Sequence, residues 1–138
     1  MNAVAPHAND VYAKEIVDVL DMIQAWFAGA ANQDSRALDA LMARFSPQFS
    51  MITPSGAVLD LAGLRALFER IGGQRSGLEI TISGISTLAV NASGATMCYH
   101  ERQTMAGVIA NDRRATAVFE MDAQGRLLWR HLHETFCA

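Results

Sequence analysis

The sequence predicts one domain of the α+β class, in which three N-terminal helices pack in a strongly curved sheet that is either mixed or antiparallel. Its 138 residues, 51% of them hydrophobic, suit a single domain over residues 1–138 with one core. Apolar residues recur at a helical spacing in the first half of the chain and at every second position in most of the second half. Helices that precede a run of strands are typical of this class.

The first helix is predicted from about Val11 to Ala31. Its cap would be Asn9 or Asp10, since both residue types are favourable at the start of a helix, and residues 1–9 are expected to be frayed. The apolar stripe of this helix recurs at intervals of three and four residues and consists of Ile16, Val19, Leu20, Ile23, Trp26, Phe27 and Ala30.

Two shorter helices and one strand follow. Ser35 is placed to cap the second helix, and Pro47 would end it. Residues 48–53 alternate in the manner of a half-buried strand. Asp60 would cap the third helix, and the glycine pair at 72–73 would end it because glycine readily adopts the positive φ of a helix C-terminus.

The rest of the chain is predicted to form an antiparallel meander of four strands. Leu78, Ile80 and Ile82 alternate as far as Gly84, beyond which the apolar residues are out of phase. Gly84 is therefore a candidate β-bulge. The three later strands are predicted at Ala95–Met105, Val108–Met121 and Leu127–Phe136.

Charge and hydropathy exclude several classes of protein. Eleven basic and fourteen acidic residues give a formal net charge of -3, which argues against binding to a nucleic-acid backbone. No apolar run approaches the roughly 20 residues that a membrane-spanning helix needs, and residues 1–10 lack the basic and apolar segments of a signal peptide. We therefore expect a cytoplasmic protein that binds neither nucleic acid nor membrane.

The sequence contains few motifs for metals or cofactors. His131 and His133 would share one strand face, as in some zinc sites, but no third ligand is evident, so no metal is expected. We expect these histidines and Trp129 to pack in a contact between the sheets of two copies. Because the chain has no glycine-rich phosphate loop and no nucleophile elbow, we also expect no cofactor.

Two stretches of sequence resemble a known superfamily. Residues 99–103 read Tyr-His-Glu-Arg-Gln, and residues 129–135 read Trp-Arg-His-Leu-His-Glu-Thr. With the order of elements, which matches from about Val11 to Thr135, the chain resembles the nuclear-transport-factor-2-like superfamily. This group includes the SnoaL-like polyketide cyclases, ketosteroid isomerase and the association domain of calcium/calmodulin-dependent kinase. The resemblance implies a cystatin-like cone, a pocket between its concave face and the helices, and a homodimer through the sheet backs, but no particular activity.

The isomerase activity found in that superfamily is not expected here. The resemblance aligns the hydroxyl donor, the carboxylate base and the carboxylic acid of that enzyme with Trp26, Thr53 and the neighbourhood of Ala117. A threonine hydroxyl is no base for a carbon acid at neutral pH, and an alanine side chain donates no hydrogen bond.

Strand alternation places Tyr99 and Glu101 on one face of their strand, and His100 and Arg102 on the other. The kinase association domain has a tyrosine in its pocket strand that matches Tyr99. The resemblance therefore implies that Tyr99 and Glu101 face the pocket, although a shift of one residue would exchange them for His100 and Arg102.

The last strand is predicted to contribute Arg130 and Glu134 to the concave side. The kinase domain has a pocket arginine where this chain has Glu134, and strand alternation puts Arg130 on the same face. Trp129, His131 and His133 would then occupy the opposite face.

Glu134, Glu101 and Tyr99 are the predicted catalytic residues. Two carboxylates in an apolar cone would have their pKa values pushed apart, which suits one as a proton donor and the other as an acceptor. Arg130 would bind a carboxylate ligand, or it would neutralise a glutamate in a purely structural ion pair, and both interpretations stay open. The other predicted ligand-binding residues are Trp26, Phe27, Met97 and Phe119.

The sequence thus predicts a small-molecule pocket protein. As an enzyme it would be a cofactor-free isomerase, cyclase or dehydratase that uses pocket carboxylates, and its ligand would be small and partly apolar, with carboxylates among the candidates. The alternative is a non-catalytic ligand-binding module or a dimeric association module. Arg113 and Arg114 are interpreted as solvated residues at a strand edge, where charge discourages strand addition.

Overall fold

The computed structural model describes residues 6–30 and 33–138 of the chain, with side chains from residue 11 onward. Within these ranges the chain forms three helices and six strands, which confirms the α+β class. In chain order they are α1 (Pro6–Ala28), α2 (Ser35–Met42), β1 (Phe45–Ile52), β2 (Val58–Asp60), α3 (Leu61–Ile71), β3 (Leu78–Asn91), β4 (Gly94–Met105), β5 (Val108–Met121) and β6 (Leu127–Phe136). None of the described helices is long and apolar enough to cross a membrane.

The six strands form one mixed sheet in the order β2-β1-β6-β5-β4-β3. The predicted meander is confirmed, because β3, β4, β5 and β6 pair in sequence order and antiparallel. Strand β1 adds to β6 in parallel and carries the short β2 antiparallel on its other side. Of the two alternatives for the sheet, the structure therefore has the mixed one.

Two helix boundaries differ from the prediction. Helix α1 begins at Pro6, before the predicted caps Asn9 and Asp10. Proline is favourable at this position because the first turn of a helix makes no hydrogen bond through its N–H groups. Residues 6–9 are thus helical, while residues 1–5 of the predicted frayed segment lie outside the described residues. So does the predicted end of this helix at Ala31.

Helix α2 starts and ends earlier than its sequence predicts. Asp34, rather than Ser35, is its cap, and the Asp34 carboxylate accepts a hydrogen bond from the Ala37 N–H at 2.9 Å. The helix ends at Met42, and Pro47 lies inside β1, where the register between β1 and β6 shifts. A proline is tolerated there because an irregular segment of a strand does not need its N–H for the ladder. The Asp60 cap of α3 is confirmed.

A single core lies between the helices and one face of the sheet, which we call the inner face. From α1 it includes Tyr12, Ile16, Val19 and Leu20, and from β4 and β5 it includes Met97, Tyr99, Ala115, Ala117 and Phe119. Burial of these side chains from both layers stabilises the domain.

Strand β3 contains the predicted bulge at Gly84. Its register with β4 shifts between Ser83 and Ser86, and Gly84 has a φ of 62°. This left-handed conformation is the one that glycine adopts without the strain of a Cβ atom. The prediction from the change of phase in the sequence is confirmed.

Another bulge, in β6, was not predicted. Val118 of β5 pairs with His131, but the next residue, Phe119, pairs with Trp129, so Arg130 is an extra residue in β6. Strand alternation changes phase at this point. Trp129 therefore faces the core, and the side chain of Arg130 lies on the outer face of the sheet.

Candidate active site

A cavity of about 90 Å³ lies between α1, α3 and the inner face of the sheet. Its polar wall, as we call it, consists of Tyr99, Glu101, Gln103, Arg113 and Glu134. The rest of the lining is apolar: Val19, Leu20, Ile23, Phe27, Phe45, Phe49, Met51, Leu64, Leu67, Phe68, Trp129 and Leu132. An apolar cavity with a few polar groups on one side is the usual form of a small-molecule site.

The polar wall forms because alternate residues of β4, β5 and β6 point to the same side. Glu101 lies directly opposite Arg113 in the β4–β5 pair. One step along the sheet, Ala115 lies between Tyr99 on one neighbouring strand and Glu134 on the other. The small alanine separates two larger side chains and so leaves space between them.

A continuous chain of hydrogen bonds joins the two glutamates of this wall. Arg113 donates from Nη1 to Oε1 of Glu134 at 3.0 Å and from Nε to Oδ1 of Asn111 at 3.0 Å. Asn111 donates from Nδ2 to Oε1 of Gln103 at 3.2 Å. Gln103 then donates from Nε2 to Oε2 of Glu101 at 2.6 Å. These contacts hold both carboxyl groups in place.

Two buried polar atoms of the wall have no hydrogen-bond partner among the described residues, namely Tyr99 Oη and Glu101 Oε1. Their residues are only 3% and 2% exposed. A buried polar atom without a partner costs about 1–3 kcal/mol, so its presence needs an explanation. Because both residues line the cavity, a ligand bound there would supply the missing partner.

Burial shifts the pKa values of this site upward. It raises the pKa of Glu101, and it raises the pKa of Glu134 to about 7, where the charge of Glu101 adds to the effect and Arg113 opposes it. Burial and the nearby glutamates also hold the pKa of Tyr99 well above its usual value. Around neutral pH Tyr99 is therefore an uncharged hydroxyl, and the two carboxyl groups are poised to share a proton.

The arginine of the site is Arg113, which the sequence analysis interpreted as solvated. Its side chain is only 15% exposed and forms an ion pair with Glu134, which is 5% exposed. That interpretation was wrong, because Arg113 lies in the same alternating set as Ala115, Ala117 and Phe119. Counting back in twos from Phe119 would have identified it. Arg114 is exposed, as expected.

Arg130 does not face the cavity, and the prediction that it lies on the concave side was wrong. The bulge in β6 turns its side chain to the outer face, where Nη1 donates a hydrogen bond to the Gln48 carbonyl oxygen at 2.7 Å. Arg130 thus connects β6 to the irregular part of β1.

The four predicted apolar ligand contacts occupy different places. Phe27 lines the cavity. Trp26 is buried away from the lining and donates from Nε1 to the Phe68 carbonyl oxygen at 2.8 Å. Met97 and Phe119 are part of the core but not of the cavity lining.

The outer face of β6 carries the histidines, but not Trp129. His131 Nδ1 lies 2.7 Å from Ser50 Oγ, and His133 is exposed. Trp129 was predicted beside them, and this was wrong, since the bulge turns it inward to the cavity. No cluster of three or more potential metal-ligating side chains occurs in residues 6–30 and 33–138.

A third buried carboxylate, Glu15 of α1, was missed by the sequence analysis. Arg44 donates to it twice, from Nη2 to Oε1 at 2.6 Å and from Nε to Oε2 at 3.1 Å. Trp129 adds a hydrogen bond from Nε1 to Oε2 at 3.2 Å. Its position four residues before Val19, on the same face of the helix, was the available signal.

Comparisons with known proteins agree on the architecture. The chain matches the model of the SnoaL-like domain family over residues 19–136. A crystal structure of an NTF-2 like protein of unknown function from Pseudomonas aeruginosa is 48% identical, with a TM-score of 0.86, over 92% of this chain and 98% of that chain. No curated protein matches the chain.

More distant structures share the fold alone. One is a putative calcium/calmodulin-dependent protein kinase type II association domain from Thiobacillus denitrificans, 19% identical with a TM-score of 0.64, over 80% of this chain and 90% of that chain. Another is a domain of unknown function with a cystatin-like fold from Nostoc punctiforme, 15% identical with a TM-score of 0.73, over 98% of this chain and 80% of that chain.

Proposed function

The chain belongs to the SnoaL-like domain family, and we propose that its cavity is the active site of a cofactor-free acid–base catalyst. The proposed reaction class is an isomerisation, cyclisation or dehydration in which a proton moves between a small molecule and the pair Glu101 and Glu134. The observation that carries the proposal is that two buried glutamates share one arginine in the wall of an otherwise apolar cavity.

The contact with Arg113 favours a division of roles between the two glutamates. Two carboxylates in one apolar site repel each other, so one negative charge and one proton are the favourable content of the pair. Arg113 contacts Glu134, which stabilises the charge there and leaves the proton to Glu101. Arg113 thus takes the role that the sequence analysis gave to Arg130.

In the proposed step, Glu134 removes a proton from the carbon next to a substrate carbonyl group. The electron pair of that C–H bond forms the C=C bond of an enolate, and negative charge develops on the carbonyl oxygen. Hydrogen bonds from Tyr99 Oη and from protonated Glu101 would stabilise this charge. Return of the proton from Glu134 to another carbon completes an isomerisation, and no electrons enter or leave the substrate.

Hydrogen–deuterium exchange into small carbon acids tests this proposal. Cyclopentanone and cyclopent-2-enone are incubated with the protein in D₂O, and loss of the proton signal next to the carbonyl is followed by NMR. We expect the wild-type protein to accelerate exchange and Glu134→Gln to lose about 100-fold or more of that acceleration, because the glutamine keeps the shape but cannot accept a proton.

Glu79→Gln is the matched control, since Glu79 is an exposed carboxylate in β3. It should retain the wild-type rate. A Glu134→Gln variant with the wild-type rate, or a wild-type protein that binds these ketones without accelerating exchange, would contradict catalysis and leave the non-catalytic ligand-binding module as the function of the cavity.

We also propose that two copies associate through the outer face of the sheet. Cys98, Thr116, Val118 and His131 give this face the mixed polar and apolar character of a protein interface. Light scattering at micromolar concentration should give the mass of a dimer, and Val118→Asp should reduce it to that of a monomer. Val58→Asp, on the exposed strand β2, is the control, and a monomeric wild-type protein would refute the assembly.

A further inference from the structure

We infer that the ligand of this cavity is a small, electrically neutral molecule that presents one hydrogen-bond-accepting oxygen, with a cyclic ketone as its simplest form, and not a carboxylate. This inference rests on the proposed function and narrows its substrate class. Three independent features of the cavity support it: the fixed direction of its hydrogen bonds, its charge balance and its size.

The direction of the hydrogen bonds is set by Arg113, because a guanidinium group only donates. Asn111 must therefore turn its oxygen to Arg113 and its NH₂ group to Gln103. Gln103 must in turn accept from Asn111 and donate to Glu101. This sequence of donors leaves neither amide free to flip.

The same sequence of donors locates the proton of Glu101. Its Oε2 atom accepts the hydrogen bond from Gln103, so the proton of the neutral acid belongs on Oε1, the atom without a partner. Tyr99 Oη, also without a partner, is a second hydroxyl donor. Two donors facing one cavity match an oxygen with two lone pairs, as in a carbonyl group.

The charges of the wall already balance. Arg113 carries one positive charge, the glutamate pair with its single proton carries one negative charge, and the other residues that line the cavity are neutral. An ionic ligand would therefore be buried without a counterion, which strongly disfavours binding. A carboxylate ligand was among the candidates because of Arg130, but that residue lies on the outer face.

The size of the cavity limits the ligand further. An apolar cavity of about 150 Å³ holds benzene, and this one has about 90 Å³. The roughly six non-hydrogen atoms of benzene are therefore the upper limit for a ligand of this cavity. Cyclopentanone is a suitable probe.

Titrations at pH 6, where the glutamate pair holds its proton and a carboxylate probe is ionised, are followed by protein NMR with three probes: cyclopentanone, cyclopentane and cyclopropanecarboxylate. We expect cyclopentanone to bind at least tenfold more tightly than either of the others. Tyr99→Phe should weaken its binding about tenfold, the effect of one net hydrogen bond in a buried site. Tyr12→Phe is the matched control, because it removes a hydroxyl group from a buried tyrosine outside the cavity lining and should leave the affinity unchanged.

Cyclopropanecarboxylate that binds as tightly as cyclopentanone would overturn the inference, and so would a Tyr99→Phe variant with unchanged affinity. Absence of binding by cyclopentanone would overturn it as well. These failures are distinguishable from failure of the proposed function. Ketone binding without proton exchange contradicts catalysis alone, whereas proton exchange that depends on Glu134 together with preferred binding of the anion contradicts the ligand class alone.

Discussion

Two buried carboxylate sites lie in the same core and differ in how fully their oxygen atoms are paired. Glu15 accepts three hydrogen bonds, which occupy both of its oxygens. Glu101 accepts one, and its Oε1 atom accepts none. Burial of a carboxylate is therefore a poor indicator of function by itself. The unpaired oxygen at a cavity wall is the feature that distinguishes a site for a ligand from a structural ion pair.

The supply of positive charge differs in the same way. Arg44 donates two hydrogen bonds to Glu15, and these bonds raise the pKa of Arg44. Glu101 and Glu134 share Arg113, which bonds only the latter. The Glu15 site is thus complete without a ligand, whereas the cavity site holds its second carboxyl group by taking up a proton.

The largest expected effect concerns stability. Glu15→Gln leaves Arg44 partly buried without a counterion, and should lower the free energy of unfolding by about 3 kcal/mol, the low end for a buried pair because Arg44 is 32% exposed. Glu134→Gln should change it by less than about 1 kcal/mol at pH 7, because Glu101 then becomes the counterion of Arg113. Urea denaturation measures both.

Asp39→Asn is the control for that comparison. Asp39 forms an exposed ion pair with Arg65, and its loss should change the free energy of unfolding by less than about 0.5 kcal/mol. Equal destabilisation by Glu15→Gln and Glu134→Gln would show that the two buried sites do not differ in the way that their hydrogen bonds indicate.

A smaller effect is expected in the pH dependence of stability. Folding raises the pKa values of both glutamates, that of Glu134 from 4.5 to about 7, so between these values the folded pair keeps one proton that the unfolded chain loses. The free energy of unfolding should therefore fall as the pH rises from 4.5 to 7. We expect a fall of about 2 kcal/mol, because Glu134 and Glu101 hold one proton between them.

Urea denaturation at a series of pH values checks this slope. Glu134→Gln should remove at least half of the fall, while Glu15→Gln should retain it. A wild-type stability that is constant or increases from pH 4.5 to 7 would contradict the shared proton.

The fold was largely predictable because its signals are local. The change from helical spacing to alternation, the cap at Asp60 and the phase change at Gly84 each depend on a few neighbouring residues, and all three are confirmed. Alternation within one strand put Tyr99 and Glu101 on a common face, the resemblance implied that this face is the inner one, and both side chains are buried there.

The arginine of the site was assigned wrongly for two reasons. Its assignment to Arg130 assumed regular alternation through β6, but the bulge depends on hydrogen bonds to two neighbouring strands, which a single strand does not encode. Arg113 was overlooked because two adjacent arginines are typical of an exposed edge, whereas β5 lies inside the sheet. The partnership of Glu15 with Arg44 spans 29 positions and has no local signature.

The irregular positions of the sheet have a consequence for engineering. Bulged strands bend and twist more than regular ones, and register shifts occur at Gly84 in β3, at Arg130 in β6 and between Phe45 and Ser50 in β1. The bulges therefore help to curve the sheet around the cavity, and the lining side chains fill the space that remains. Shortening an apolar side chain of the lining would enlarge the cavity for larger ligands and leave the donors of the polar wall in position. The domain is therefore a suitable scaffold for engineered binding proteins.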